Sequence, residues 1–254
     1  MNHEGQSNKG EMKPSLEPTK TAMTLFQHMD ELRSRLTQAV LAIIVCSIGA
    51  YVFIDPILEF IIKPVGTLVF TAPSDAFFAR VILAILSGCI FSLPVVLFHV
   101  WRFVGLGLKA KESKSIMFYG PVSLGLFFIG GLFAYYVIVP IAIEFLLGFA
   151  TESITPMITI KNYVSFVGTL ILAFGVVFEL PLILLFLAHI GIATAEFLEQ
   201  KRRYAVIIIL IVSALITPPD FITQLMMAGP LVILYEIGIL AIKISGKRKL
   251  RDNS

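Results

Sequence analysis

Long apolar runs separated by short polar stretches set the rhythm of this chain. The runs lie at roughly Leu36 to Ile54, Phe77 to Val104, Ile116 to Phe149, Val164 to Ile190, Ala205 to Ile216 and Phe221 to Ile242. A helix rises about 1.5 Å per residue and hydrocarbon is about 30 Å thick, so about twenty apolar residues cross it. The fifth run, about twelve to fourteen residues, reaches only some 20 Å. The third has the opposite problem: about thirty-four residues would measure some 50 Å as a straight helix, so it must tilt, bend or project. Gly130, Gly131 and Pro140 are its candidate bend points, and Pro94 and Pro181 serve the second and fourth runs in the same way.

Ahead of the first run, "LFQHMDELRSRL" places Leu25, Met29, Leu32 and Leu36 on one helical stripe, with Gln27, Asp30, Glu31, Arg33 and Ser34 on the remainder. This predicts a short amphipathic helix over 24–35, lying on the inner membrane face. Residues 1–22 are polar, contain prolines and lack both an apolar leader core and a small-residue cleavage site, so they read as a disordered tail. Residues 23–244 then form the membrane domain and 245–254 a basic tail.

Composition agrees: 57% of the residues are hydrophobic and 15% charged, a balance that a soluble domain of 254 residues could not hide from water. A net charge of +3 gives no argument for nucleic acid. Its distribution matters more. With six crossings and both ends cytoplasmic, only Lys63, Arg80 and Lys161 of the 20 Lys and Arg fall outside, which is the bias that orients membrane proteins. The fifth and sixth runs then form a hairpin in a locally thinned bilayer, or re-enter together. The expected fold is an all-α integral membrane protein: six transmembrane helices, both termini cytoplasmic, the last two helices short.

Enzymatic patterns are absent. The chain has no H-E-x-x-H, no G-x-S-x-G and no phosphate-cradling Gly-rich loop, and His28, His99 and His189 are too far apart in sequence to suggest a ligand cluster. Cys46 and Cys89 sit inside apolar runs and read as small hydrophobes, so no metal or cofactor is expected.

Four acids stand out. Glu179, in "LAFGVVFELPLILLF", lies about 16 Å from the cytoplasmic end of its helix, where a charge costs on the order of 3 kcal/mol. It is either a protonated acid bonded to backbone freed by Pro181, or a polar docking point for another membrane helix. Glu236 reads as snorkelling toward Lys243 or the interface. Glu31 is four residues from Arg35, which an ordinary exposed ion pair would explain. The cytoplasmic orientation, however, puts Glu31 on the same side as Glu112 in "WRFVGLGLKAKESKS". Two carboxylates there could hold two adjacent guanidinium groups by charge-assisted hydrogen bonds.

Taken together, "HMDELRSRL", "LPVVLFHVWRF", "AFGVVFELP", "KRRY" and "TPPD" with Gln224 beyond it resemble the TatC family, the multi-spanning core of the twin-arginine protein translocase. The resemblance covers nearly the whole chain after the tail. It implies a cupped six-helix scaffold in a bacterial-type cytoplasmic membrane. Such a scaffold binds twin-arginine signal peptides of folded proteins and assembles with small single-span subunits of the TatA/TatB type, driven by the proton-motive force. It further implies homo- and hetero-oligomers within the lipid bilayer. By motif, Glu31, Glu112, Phe103 and Arg33 match the signal-peptide site, and Glu179, Thr217 and Gln224 match positions of partner-helix contact. One departure is Leu106, where the family usually has a proline; Gly105 and Gly107 could shape that turn instead. The alternative function is a proton-coupled small-solute transporter with Glu179 as proton carrier, which would require paired broken helices and a midplane pocket.

Overall fold

In a computed structural model, residues 25–106, 113–151, 157–216 and 221–251 are described, and apart from one isolated bridge they form helices and their connections. Glu112 and Thr217 lie outside the described residues. Ten α-helices follow in order: α1 Leu25–Val52, α2 Ile54–Ile62, α3 Pro73–Leu106, α4 Ser113–Phe133, α5 Val139–Leu147, α6 Ile160–Val177, α7 Leu180–His189, α8 Ala195–Gln200, α9 Arg202–Ile216 and α10 Phe221–Arg251. Five stretches are long and apolar enough to cross a membrane: Met29–Val52, Pro73–Val104, Tyr119–Leu147, Ile160–His189 and Gln224–Gly246. α9, with 15 residues, reaches about 22 Å and falls short of that length.

Several expectations change. The amphipathic stretch at 24–35 is no separate surface helix; with no Pro or Gly from Leu25 to Ile48 to interrupt it, it runs straight into the first span as α1. The last helix is not short, because the ladder continues past the apolar run and into the basic tail for 31 residues in all, Pro230 notwithstanding. Pro94 likewise sits inside α3 without ending it. α2 and α8 were not anticipated.

The third and fourth runs do break, and proline explains both places. Pro140 has no N–H to donate, and just ahead of it a π-helical turn, Ala134–Ile138, joins α4 to α5, with the Val139 amide reaching back to the Ala134 carbonyl. Pro181 strips the Val177 carbonyl of its helical partner, so α6 ends and α7 begins across Phe178 and Glu179. The Glu179 amide closes a tighter bond to Val176 at 3.1 Å, and Ile183 restarts the α-pattern by donating to the Glu179 carbonyl at 2.9 Å.

The core forms around α6. Val164, Val167, Leu170 and Phe174 share one face at helical spacing and are fully buried against α3 and α4. α7 packs on α10, while α1 lies against α3 and otherwise presents Leu41, Val45, Ile48 and Val52 outward. The carbonyls at the end of α2 are satisfied by tyrosines: Tyr135 donates to Phe60 at 2.6 Å and Tyr163 to Ile61 at 2.9 Å. The loop ahead of α3 is tied to the start of α6 by Val69, whose amide and carbonyl bond Ile158 and Ile160 at 3.1 and 2.9 Å.

α1 and α3 touch through small residues. A Cβ at Gly88 would fall 2.0 Å from Ser47 Oγ and 2.5 Å from Ser47 Cα, so the backbones themselves are in contact there. Gly88→Val is therefore expected to cost about 2 kcal/mol or more, read as a lower melting temperature of the purified chain in detergent. Gly125→Ala, where a Cβ meets nothing within 4 Å, is expected to keep or slightly raise the melting temperature, because Ala favours the helix.

Candidate functional site

Among the described residues three polar clusters bear on function. The first is at the amino end of α1. Arg35 is only 9% exposed and pairs with Glu31 one turn earlier, through its Nη2 and the Glu31 Oε1. Glu31 itself is partly exposed, and its Oε2 has no partner among the described residues. Arg35 is a buried guanidinium whose Nε has no acceptor, so the carboxylate is its main compensation and is held firmly in return. This pair is half buried rather than the exposed one the sequence suggested. Arg33 is exposed, and its carbonyl accepts the Thr37 hydroxyl at 2.8 Å.

The Ser47–Gly88 contact fixes the register of α1 against antiparallel α3. Sixteen residues back along α1 is Glu31, and sixteen onward along α3 is Val104, next to half-buried Phe103. The two predicted residues therefore stand at one level of the bundle. Two residues before Phe103, Trp101 stacks on Tyr119 with centroids 5.1 Å apart, and Phe186 of α7 meets both rings edge-on.

The second site is the α6–α7 break. Glu179 is the N-cap residue of α7, yet its side chain caps no backbone amide. It is 7% exposed. Ser123 of α4 lies beside its carboxyl, and Oε1 has no hydrogen-bond partner among the described residues. Among the described residues no hydrogen bond joins Glu179 Oε1 to the backbone freed by Pro181. Ser123 was missed because one serine in an apolar run carries no signal until the fold brings a carboxyl to it.

The third site joins α8, α9 and α10. Arg202 donates to both oxygens of Glu236 at 2.8 Å, and Glu199 lies 3.5 Å away on its other side. Glu199 also takes the Lys243 ammonium at 2.6 Å, and Tyr235 donates to the Leu198 carbonyl at 2.8 Å. Glu236 therefore does not reach toward Lys243: Arg202, with its planar fork, takes both its oxygens, and Lys243 goes to Glu199. At the far end of the same helices Gln224 donates to the Leu210 carbonyl at 2.9 Å, tying α9 to α10.

A family model described as Sec-independent protein translocase protein (TatC) matches residues 27–230. The chain belongs to the TatC family. The TatC of Carboxydothermus hydrogenoformans is 41% identical over 238 residues, covering 89% of this chain and 98% of that protein. The TatC of Desulforapulum autotrophicum is 38% identical over 233 residues, covering 89% and 86%. Among solved structures, the crystal structure of the twin arginine translocase receptor TatC matches with a TM-score of 0.79 at 34% identity, over 86% of this chain and 99% of that one. The chain is thus a multi-pass protein of the cytoplasmic membrane and a component of the Sec-independent translocase. These relatives are named for protein transport, which favours the translocase reading over the solute transporter.

The Lys243 ammonium, with Arg202 beside it, holds the Glu199 carboxyl below its ordinary 4.5. A lowered folded-state value means stabilisation that is present above the unfolded value and disappears as pH falls through the folded one. Wild type is accordingly expected to melt above Glu199→Gln at pH 7, with the gap closing as pH drops below that range.

Proposed function

We propose that this chain is the receptor of the twin-arginine translocase, binding the arginine pair of signal peptides through Glu31 and Glu112. Both termini then face the cytoplasm, α9 and α10 form the last hairpin of six crossings, and the proton-motive force drives export. The observation that carries this reading is the geometry at Glu31. Arg35 anchors Oε1 from the buried side, which leaves Oε2 to an incoming guanidinium, with Phe103 at the same level. A carboxylate has lone pairs for both donors, so Arg35 acts as a positioning residue rather than a competitor. Arg33 completes the same rim.

Glu179, Thr217 and Gln224 are the contacts for single-span subunits. A buried carboxyl oxygen without a donor is rare in a native structure and demands an explanation. A polar side chain on a partner helix would supply that donor at Glu179 Oε1. Among the described residues Gln224 is engaged through its amide nitrogen, with Leu210, which leaves its carbonyl for such a contact.

Replacing Glu31 and Glu112 together with Ala is expected to lower crosslinking of a twin-arginine signal peptide at least tenfold, to the level of a twin-lysine control. The melting temperature should stay within a few degrees of wild type. A folded double variant that still captures the peptide would remove the proposed site.

A further inference from the structure

Three successive cations mark the junction of α8 and α9, and they face different surroundings. Arg202 is neutralised from within by Glu236 and Glu199. Lys201 and Arg203 have no carboxylate partner among the described residues. They lie over aromatic rings instead. Lys201 Nζ is 5.4 Å from the centre of Tyr204 and 6.0 Å from that of Phe197, and Arg203 Cζ is 5.0 Å from Tyr204. Both rings are about half exposed, at 51% for Phe197 and 48% for Tyr204.

From this junction the chain runs into the apolar helix α9, whose Ile207, Ile208, Ile211 and Leu215 point outward. Cations paired with exposed aromatics at the first turn of such a helix are the chemistry of the membrane–water boundary. The length of α9 sharpens the point. Its 15 residues span about 22 Å against about 30 Å of hydrocarbon, so the residues flanking it are drawn in toward the lipid phosphates. Two uncompensated positive charges at that depth need anions. A free anion would use the charges alone; a lipid uses the rings as well, with its phosphate on Lys201 and Arg203 and its glycerol and first methylenes against Tyr204 and Phe197.

We propose that Lys201, Arg203, Tyr204 and Phe197 form a binding site for the headgroup of an anionic phospholipid, which sets the depth of the short helix α9. The site is separate from the signal-peptide rim and rests on the proposed topology, in which α9 crosses the membrane.

The test is retention of phosphatidylglycerol by the purified full chain in neutral detergent, counted by native mass spectrometry over a lipid titration. Lys201→Gln/Arg203→Gln is expected to weaken phosphatidylglycerol binding roughly thirtyfold, and each single change about fivefold. Binding of phosphatidylcholine should be unchanged, as should phosphatidylglycerol binding by Lys63→Gln, which removes an exposed cation elsewhere. The single variants keep the test open if the double variant does not fold. Equal phosphatidylglycerol retention in wild type and variants overturns the site, as does an equal loss in Lys63→Gln. Displacement of the lipid by millimolar inorganic phosphate would make it a free-anion site and overturn the assignment too.

Discussion

A peptide group stranded in hydrocarbon costs several kcal/mol, because no water is present to take over its hydrogen bonds. That single constraint explains where this fold is regular and where it is not. The spans are helical because helices satisfy their own backbone. Among the described residues the helical pattern is interrupted within spans at the π-helical turn before Pro140, where Ala134, Tyr135 and Ile138 are buried and Tyr136 and Val137 are exposed, and at Phe178–Glu179, behind fully buried Phe174. Where α2 ends, tyrosine hydroxyls from two other helices supply the missing donors.

The same constraint makes the leftover polar groups informative. Glu179 Oε1, Arg35 Nε and His99 Nδ1 are buried without partners among the described residues. Arg35 is compensated by Glu31, so its orphan nitrogen is a local loss within a paired charge. Glu179 is different, because Ser123 lies beside the carboxyl but Oε1 has no donor among the described residues. Under the translocase reading each acid has a counterpart, Glu31 a guanidinium at the rim and Glu179 a polar group inside the bilayer. The third site, around Arg202 and Glu199, is internally complete and holds α8 against α10.

Much of this was readable from residue order. Five of the six apolar runs correspond to stretches long enough to cross a membrane, α9 falling short, and Pro140 and Pro181 marked real breaks. Proline does not always end a helix, though, since α3 and α10 continue past Pro94 and Pro230. Local pattern also misjudged the start of the chain, where an amphipathic stripe and an apolar run turned out to be one helix. The motif residues Glu31, Phe103 and Glu179 could be named from sequence. Their neighbours could not: Ser123 and Glu179 are brought together by the packing of α4 on α6, and Arg202 chooses Glu236 because α9 and α10 lie side by side. Such pairings depend on tertiary register, which no local spacing encodes.

The central claim is that Glu179 is kept for another molecule at the expense of the chain's own stability. Glu179→Leu in the isolated protein tests it, with melting temperature and co-purification of the single-span subunit measured on the same preparation. A reserved acid predicts stability equal to or above wild type, since removing a half-satisfied buried polar group relieves a penalty of about 1–3 kcal/mol, together with loss of the partner. A marked drop in melting temperature with the partner still bound would show that the acid serves the fold, and would contradict the account.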